Sequence, residues 1–237
     1  MSSVLMVLSA ARKWTQKDGT QRPTGFWAEE FADPHRILSA AGVDITLATP
    51  GARVPVADEM SLSEQANGGD TAKVAELRAY LAGAAGFLES PVRLEDVSPG
   101  DYDAVVIPGG HGPMQDLAVN EDVARVLEAL LPDPTKVVTA ICHGQAALLP
   151  AGASDGSWLF AGRRLTSFTD EEERQVGLAD NAPWLLETRL RGAGAVYESG
   201  PAWGPYIAVD GNLVTGQNPA SAGPAAEALL KELADRA

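Results

Sequence analysis

A chain of 237 residues is long enough for one large α/β domain or two small ones with a full core, and its 45% hydrophobic content is that of a globular protein. With 32 acidic against 18 basic residues the net charge is −14, which argues against nucleic acid and against anionic membrane surfaces as partners. One cysteine excludes an internal disulfide and makes a reducing cytoplasm the default, and no apolar run approaches the roughly 20 residues that span a bilayer.

Val4 to Leu8 reads as a buried first strand, too weakly flanked by basic residues for a signal peptide. The loop from Ala11 to Pro23 is polar and holds Arg12, Lys13, Lys17 and Arg22, one of the few basic concentrations. Phe26 to Ala41 reads as a helix with Thr24 as its cap and Gly42 as its stop, and Pro34 should bend or restart it. Asp44 to Ala48 is a second strand. Residues 51–70 show no periodicity, which marks a functional or ordered excursion. Thr71 to Leu81 reads as helix, Ala104 to Ile107 as strand, and Glu121 to Leu131 as an amphipathic helix with Val123, Val126, Leu127 and Leu130 on one face.

Val137, Val138, Ala140 and Ile141 form a short apolar run of strand length, and His143 to Leu149 reads as helix stopped by Pro150. Arg164 to Phe168 is a further strand, with helices over Asp170 to Leu178 and Pro183 to Leu190. Tyr206 to Thr215 reads as a hairpin around Asp210-Gly211-Asn212, and Ser221 to Ala234 as the closing helix. Strands alternating with helices at this spacing predict an α/β, doubly wound, mostly parallel sheet flanked by helices, with one small antiparallel hairpin. Ligands bind such sheets at the carboxyl ends of the strands. Three of those ends carry unusual residues: Ile107 runs into Pro108-Gly109-Gly110-His111-Gly112, Ile141 into Cys142, and Phe168 into an acidic cluster.

Cys142 falls on the turn between strand and helix, the geometry of a nucleophile elbow, and the helix's positive end would favour its thiolate. The competing reading is an inert buried thiol. Gly109, Gly110 and Gly112 allow a tight turn that presents amides to a developing oxyanion, or simply a strand-to-helix turn; no Gly-Lys-Ser/Thr follows to make it a phosphate loop. Glu29 and Glu30 lie among Phe26, Trp27 and Phe31, so at most one points inward; an inward one would have a raised pKa and could share a proton with a thiol. Thr169 with Glu172, or Asp170 with Glu173, has capping-box spacing, and one of these acids could instead orient His143. The only histidines are His35, His111 and His143, so a partner for Cys142 must be His143 or His111, and their spacing is not that of a metal site.

Taken together, Ile107-Pro108-Gly109-Gly110-His111-Gly112, Ala140-Ile141-Cys142-His143-Gly144 and Thr215-Gly216-Gln217-Asn218-Pro219-Ala220-Ser221 resemble the ThiJ/PfpI superfamily, with its flavodoxin-like, class I glutamine amidotransferase-like fold. Thr24 to Glu30, Asp33-Pro34 and Ser167-Phe168-Thr169-Asp170 narrow the resemblance to the heat-shock-chaperone and glyoxalase III branch, over nearly the whole chain as a single domain, 1–237. The resemblance implies Cys142 as nucleophile, His143 as its base, Glu30 as the carboxyl on the sulfur and Glu173 as the acid paired with His143, with Asp170 as the alternative. Gly110 and the His143 amide would hold the oxyanion, in a loop that also contains Gly109 and His111. Gln145 departs from the branch, where proline is common, and Glu171 and Glu172 are extra acids. The implied activity is a glyoxalase III-like lyase, a glutathione-independent D-lactate dehydratase that takes methylglyoxal to lactate through a cysteine hemithioacetal without cofactor or metal. A stress-related holding chaperone, or a deglycase, amidase or peptidase on the same site, is the alternative. A cytoplasmic homodimer is the expected assembly.

Overall fold

The computed structural model describes residues 2–236. β1 (Ser3–Val7) opens the chain, and the polar loop after it folds back as a hairpin of β2 (Lys13–Thr15) and β3 (Gln21–Pro23). α1 (Ala28–Ala40) and β4 (Asp44–Thr49) follow, then α2 (Thr71–Gly83), the single-turn α3 (Ala85–Leu88) and β5 (Val92–Arg93). β6 (Ala104–Ile107) leads into α4 (Gly112–Gln115) and α5 (Glu121–Leu130). β7 (Val137–Ile141) leads into a 3₁₀ segment, Cys142–Leu148. Then come β8 (Arg164–Leu165), α6 (Asp170–Gln175), α7 (Leu186–Gly192) and β9 (Val196–Tyr197). The chain closes with β10 (Ile207–Asp210), β11 (Leu213–Gly216) and α8 (Ala222–Asp235).

Seven strands form one sheet in the order β10-β11-β7-β6-β1-β4-β5, parallel throughout except for the β10–β11 pair. The central strands are buried and mostly apolar, with Thr139 in β7 and Thr215 in β11 as polar exceptions, because both faces are covered. Successive side chains of β1 and β7 go to opposite layers: Leu5, Val7, Val138 and Ala140 pack with α5, and Val4, Met6, Val137 and Ile141 pack with α1 and α8. The winding reverses between β1 and β6, which opens a crevice at their carboxyl ends. Into it drops the start of α1, held by the Trp27 amide donating to the Gly109 carbonyl at 3.0 Å.

Several expectations need correction. Arg164 to Phe168 is not a strand of the main sheet; only Arg164–Leu165 is extended, paired with β9 in a separate two-stranded sheet. Residues 11–23 carry more order than their polar composition suggested, while residues 51–70, read as a functional or ordered excursion, are ordered. The first contains the β2–β3 hairpin and the second two 3₁₀ turns, Glu59–Leu62 and Gln65–Asn67. Thr24 does not cap α1: its hydroxyl donates to Asp58, Trp27 is the cap residue, and the helix continues through Pro34. The segment after Cys142 winds as a 3₁₀ turn, and α6 ends at Gln175 rather than Leu178. No helix among the described residues is long and apolar enough to cross a membrane.

Candidate active site

Cys142 sits where β7 ends, with φ of +61°, a left-handed backbone that a non-glycine residue adopts only when its surroundings impose it. The imposing groups are glycines packed without clearance. A Cβ on Gly144 would lie 2.2 Å from the Ile107 carbonyl, and one on Gly109 would lie 2.7 Å from the His143 nitrogen. The Pro108-Gly109-Gly110 turn after β6 and the elbow after β7 are thus pressed backbone to backbone. Gln145 fastens the same region, its Nε2 reaching the carbonyls of Ala140, Thr166 and Gly216.

Of the two first-turn glutamates of α1, Glu29 turns outward to Lys73 at 2.6 Å and Glu30 turns inward, with no exposed surface. Glu30 Oε2 accepts from the Gly109 amide at 2.7 Å, and its Oε1, buried without a hydrogen-bond partner, belongs to a carboxyl close enough to the Cys142 thiol for each to shift the other's pKa. Burial pushes the Glu30 pKa up to about 8, against the pull of the thiol and the Gly109 amide. Burial, with the negative charge of Glu30 next, likewise pushes the Cys142 thiol up. The expected low-pKa thiolate at a helix end is therefore corrected. A 3₁₀ turn replaces the α-helix, and ionising the sulfur falls to its neighbours. With its pKa raised to about 8, Glu30 is largely neutral at pH 7, and protonating it removes the like charge that opposes the thiolate.

His143 Nδ1 is 3.4 Å from the Cys142 sulfur, and its Nε2 is 2.7 Å from Glu173 Oε2. Burial, then the neighbouring His111, lowers the His143 pKa. Glu173 is the reverse case. Burial alone would raise it, but His111 and His143 outweigh that and hold the carboxyl well below its usual range. Asp170 is engaged elsewhere, accepting from the Thr188 hydroxyl and amide. Glu172 forms the capping box with Thr169, and its Oε1 gathers Gln217, Asn218 and the Trp203 amide. The Gln217-Asn218 motif thus holds the Trp203 loop.

The glycine-rich loop is only partly as expected. The Gly109 amide is taken by Glu30, and His111 faces Glu173 through Nε2 at 2.9 Å. Among the described residues no backbone or side-chain acceptor takes the Gly110 amide, whereas the His143 amide lies on the Cys142 sulfur. Metal-type spacing was absent from the sequence, yet His111, His143 and Glu173 bring ligand-type atoms within 4.8 Å of one another. Those atoms are engaged in hydrogen bonds with each other.

Cys142 is 3% exposed but not sealed off. It lines a cavity of about 30 Å³ with His111, His143, Phe168 and Trp203, room for one or two waters. A second cavity of about 260 Å³ shares Trp27, Met60, Val176 and Trp203 with it and adds Ser63, Gln65 and Gln175. The walls contributed by Met60, in the short 3₁₀ turn Glu59–Leu62, and by Trp203, in a loop, lie where sequence periodicity offers no signal.

The DJ-1/PfpI family matches this chain over residues 23–232. A bovine (Bos taurus) glutamine amidotransferase-like class 1 domain-containing protein 1 is 31% identical over 194 residues, 81% of this chain and 82% of the relative. Glyoxalase 3 of Candida albicans is 27% identical over 237 residues, 97% of this chain and 98% of the relative. A protein/nucleic acid deglycase of Staphylococcus aureus is 27% identical over 241 residues, covering 97% and 79%. Among solved structures, glyoxalase III from Candida albicans superposes with a TM-score of 0.83 at 25% identity, covering 98% of this chain and 97% of that one.

Proposed function

The chain belongs to the DJ-1/PfpI family, and from that premise we propose that it is a glutathione-independent glyoxalase converting 2-oxoaldehydes such as methylglyoxal to 2-hydroxy acids. The observation that carries the reading is a fully buried carboxyl, Glu30, with one oxygen unpartnered, set beside a nucleophile that already has a base in His143; burial pushes its pKa up to about 8, so it can hold a proton near neutral pH. Plain acyl transfer needs nucleophile, base and oxyanion donors. A proton-bearing acid on the sulfur is what an internal redox isomerisation needs in addition.

In the proposed sequence the Cys142 thiol gives its proton to His143 Nδ1 and its sulfur adds to the aldehyde carbon. The resulting hemithioacetal oxygen is met by the Gly110 amide and by the Glu30 proton. His143 returns the thiol proton to the hemithioacetal oxygen and, with Nδ1 bare again, takes the C1 proton while Glu30 protonates the C2 oxygen to give an enediol. His143 then delivers its proton to C2 and Glu30 recovers one from the C1 hydroxyl, so C1 is oxidised to the thioester as C2 is reduced and no outside oxidant enters. Water cleaves the thioester to release the hydroxy acid and the thiol. The test is lactate formation from methylglyoxal without glutathione, run in D₂O. Deuterium at C2 supports the enediolate route, and a Cys142→Ala variant that still consumes methylglyoxal at the parental rate sinks it.

One observation favours a second reading, removal of the aldehyde adduct from an amine or thiol. The 260 Å³ chamber beside the small one has room for a substrate larger than methylglyoxal. Turnover of a methylglyoxal-treated N-acetylcysteine at a higher kcat/KM than free methylglyoxal would select it.

A further inference from the structure

Glu173 does not serve one imidazole but two. Its Oε2 meets His143 Nε2 at 2.7 Å and its Oε1 meets His111 Nε2 at 2.9 Å, and all three side chains are nearly without exposed surface. The other nitrogen of His111, Nδ1, is buried and has no hydrogen-bond partner. A proton on that nitrogen would be an unsatisfied buried donor, and it would leave Nε2 as a lone pair facing a carboxylate oxygen. His111 is therefore the Nε2–H tautomer and donates to Glu173.

The consequence reaches the nucleophile. With one oxygen taken by His111, the ionised carboxylate offers the other to His143 Nε2–H, and His143 Nδ1 is left as the bare acceptor 3.4 Å from the Cys142 sulfur. The rings are packed against one another at interplanar tilts of 31°, 38° and 35°. Trp14, His111, His143 and Phe168 follow one another at centroid separations of 4.7, 4.1 and 4.6 Å. Trp14 comes from the β2–β3 hairpin, so that excursion from β1 reaches the catalytic imidazole through His111.

We propose that His111 is a positioning residue which, through Glu173, locks His143 in the tautomer that presents a bare Nδ1 to the Cys142 thiol. This rests on the Cys142–His143 pair being the working pair, but not on which carbonyl substrate it takes. Groups that bear charge on His143 are Glu173 and Glu172 from α6 and its cap, Glu30 through Cys142, and His111 itself.

The test uses two readouts that need no substrate. With only three histidines, ¹⁵N imidazole spectra of the wild-type chain should show His111 and His143 both protonated at Nε2 and bare at Nδ1 near neutral pH. Alkylation of Cys142 by iodoacetamide should then fall about 10- to 100-fold in His111→Ala, part of what a correctly positioned base contributes to deprotonating the thiol. His111→Gln, whose amide can still donate to Glu173, should recover most of that loss and keep the His143 tautomer. Finding Nδ1–H on either histidine in the wild type overturns the proposal even if no variant folds. So does an equal loss of alkylation in the Ala and Gln variants with the His143 tautomer unchanged, which marks a merely structural residue. Because the readouts are the thiol and the ring, a chain that turns over no 2-oxoaldehyde leaves this inference standing.

Discussion

Glu30 and Glu173 are two buried carboxyls flanking one thiol–imidazole pair, and their surroundings push them in opposite directions. Glu30 has one backbone amide and a thiol for company, so burial wins and it keeps its proton up to about pH 8. Glu173 has two imidazole donors, so they win and it stays ionised. In the proposed reaction paired acids with separated pKa values take different roles, Glu30 as proton donor and Glu173 as fixed charge. Glu30→Gln keeps an acceptor for the Gly109 amide but has no proton to transfer; kcat should fall by about 100-fold or more. Wild-type kcat/KM should decline as pH rises through about 8, where Glu30 ionises, and that basic limb should vanish from the residual activity of the variant. A limb that persists unchanged assigns it to another group. Glu173→Gln turns an acceptor into a mixed group, so the His143 tautomer is no longer held; a comparable loss is expected, with the Glu30 limb retained.

At the scale of elements, the elbow is made by glycines that have no room rather than by glycines that are flexible. Gly144 is the clearest case, since the atom a Cβ would strike is the Ile107 carbonyl, part of a central strand that cannot retreat. Gly144→Ala should cost about 1–3 kcal/mol as overpacking and should displace the Cys142 backbone. Denaturant unfolding together with thiol alkylation reads both. Gly83→Ala, at the end of α2 with nothing within 4 Å, should be neutral or slightly stabilising by the same assay. These contrasts also mark what was legible in the sequence. Apolar runs such as Ala104–Ile107 announced buried parallel strands because both faces are covered, and Cys142 with His143 announced themselves as adjacent residues on a turn. Glu30 left a trace in the aromatic density around it. What stayed hidden depended on contacts remote in the chain. The β2–β3 hairpin is polar and pairs only three residues a side, so periodicity missed it. His111 was read with its own glycine loop, whereas its partner, Glu173, lies 62 residues later. Arg164–Leu165 was too short for alternation to say which sheet it joins.

For the whole molecule, the site's unusual carboxyls have to be reconciled with a fold that remains stable, and their contributions run in opposite senses with pH. Glu173, with its folded pKa depressed below the unfolded value near 4.5, adds stability that is present above that value and is lost as pH falls through the folded pKa. Glu30, with its folded pKa raised to about 8, does the reverse. Its contribution is complete below about 4.5, where both states hold the proton, and it erodes as pH climbs toward 8, because the unfolded chain releases a proton that the folded chain must keep. Each unit of that separation is worth about 1.4 kcal/mol, so the term is large beside the net stability of a domain. The surface charge of −14 produces pH effects of its own, but those are common to wild type and variant, and a difference measurement removes them. The thermal midpoint of Glu30→Gln, taken relative to wild type, should therefore rise steadily from pH 5 to about 8 and level off above it. A difference that stays flat across that window means that Glu30 titrates as an ordinary carboxyl, and the proton assigned to it at the sulfur is then not there.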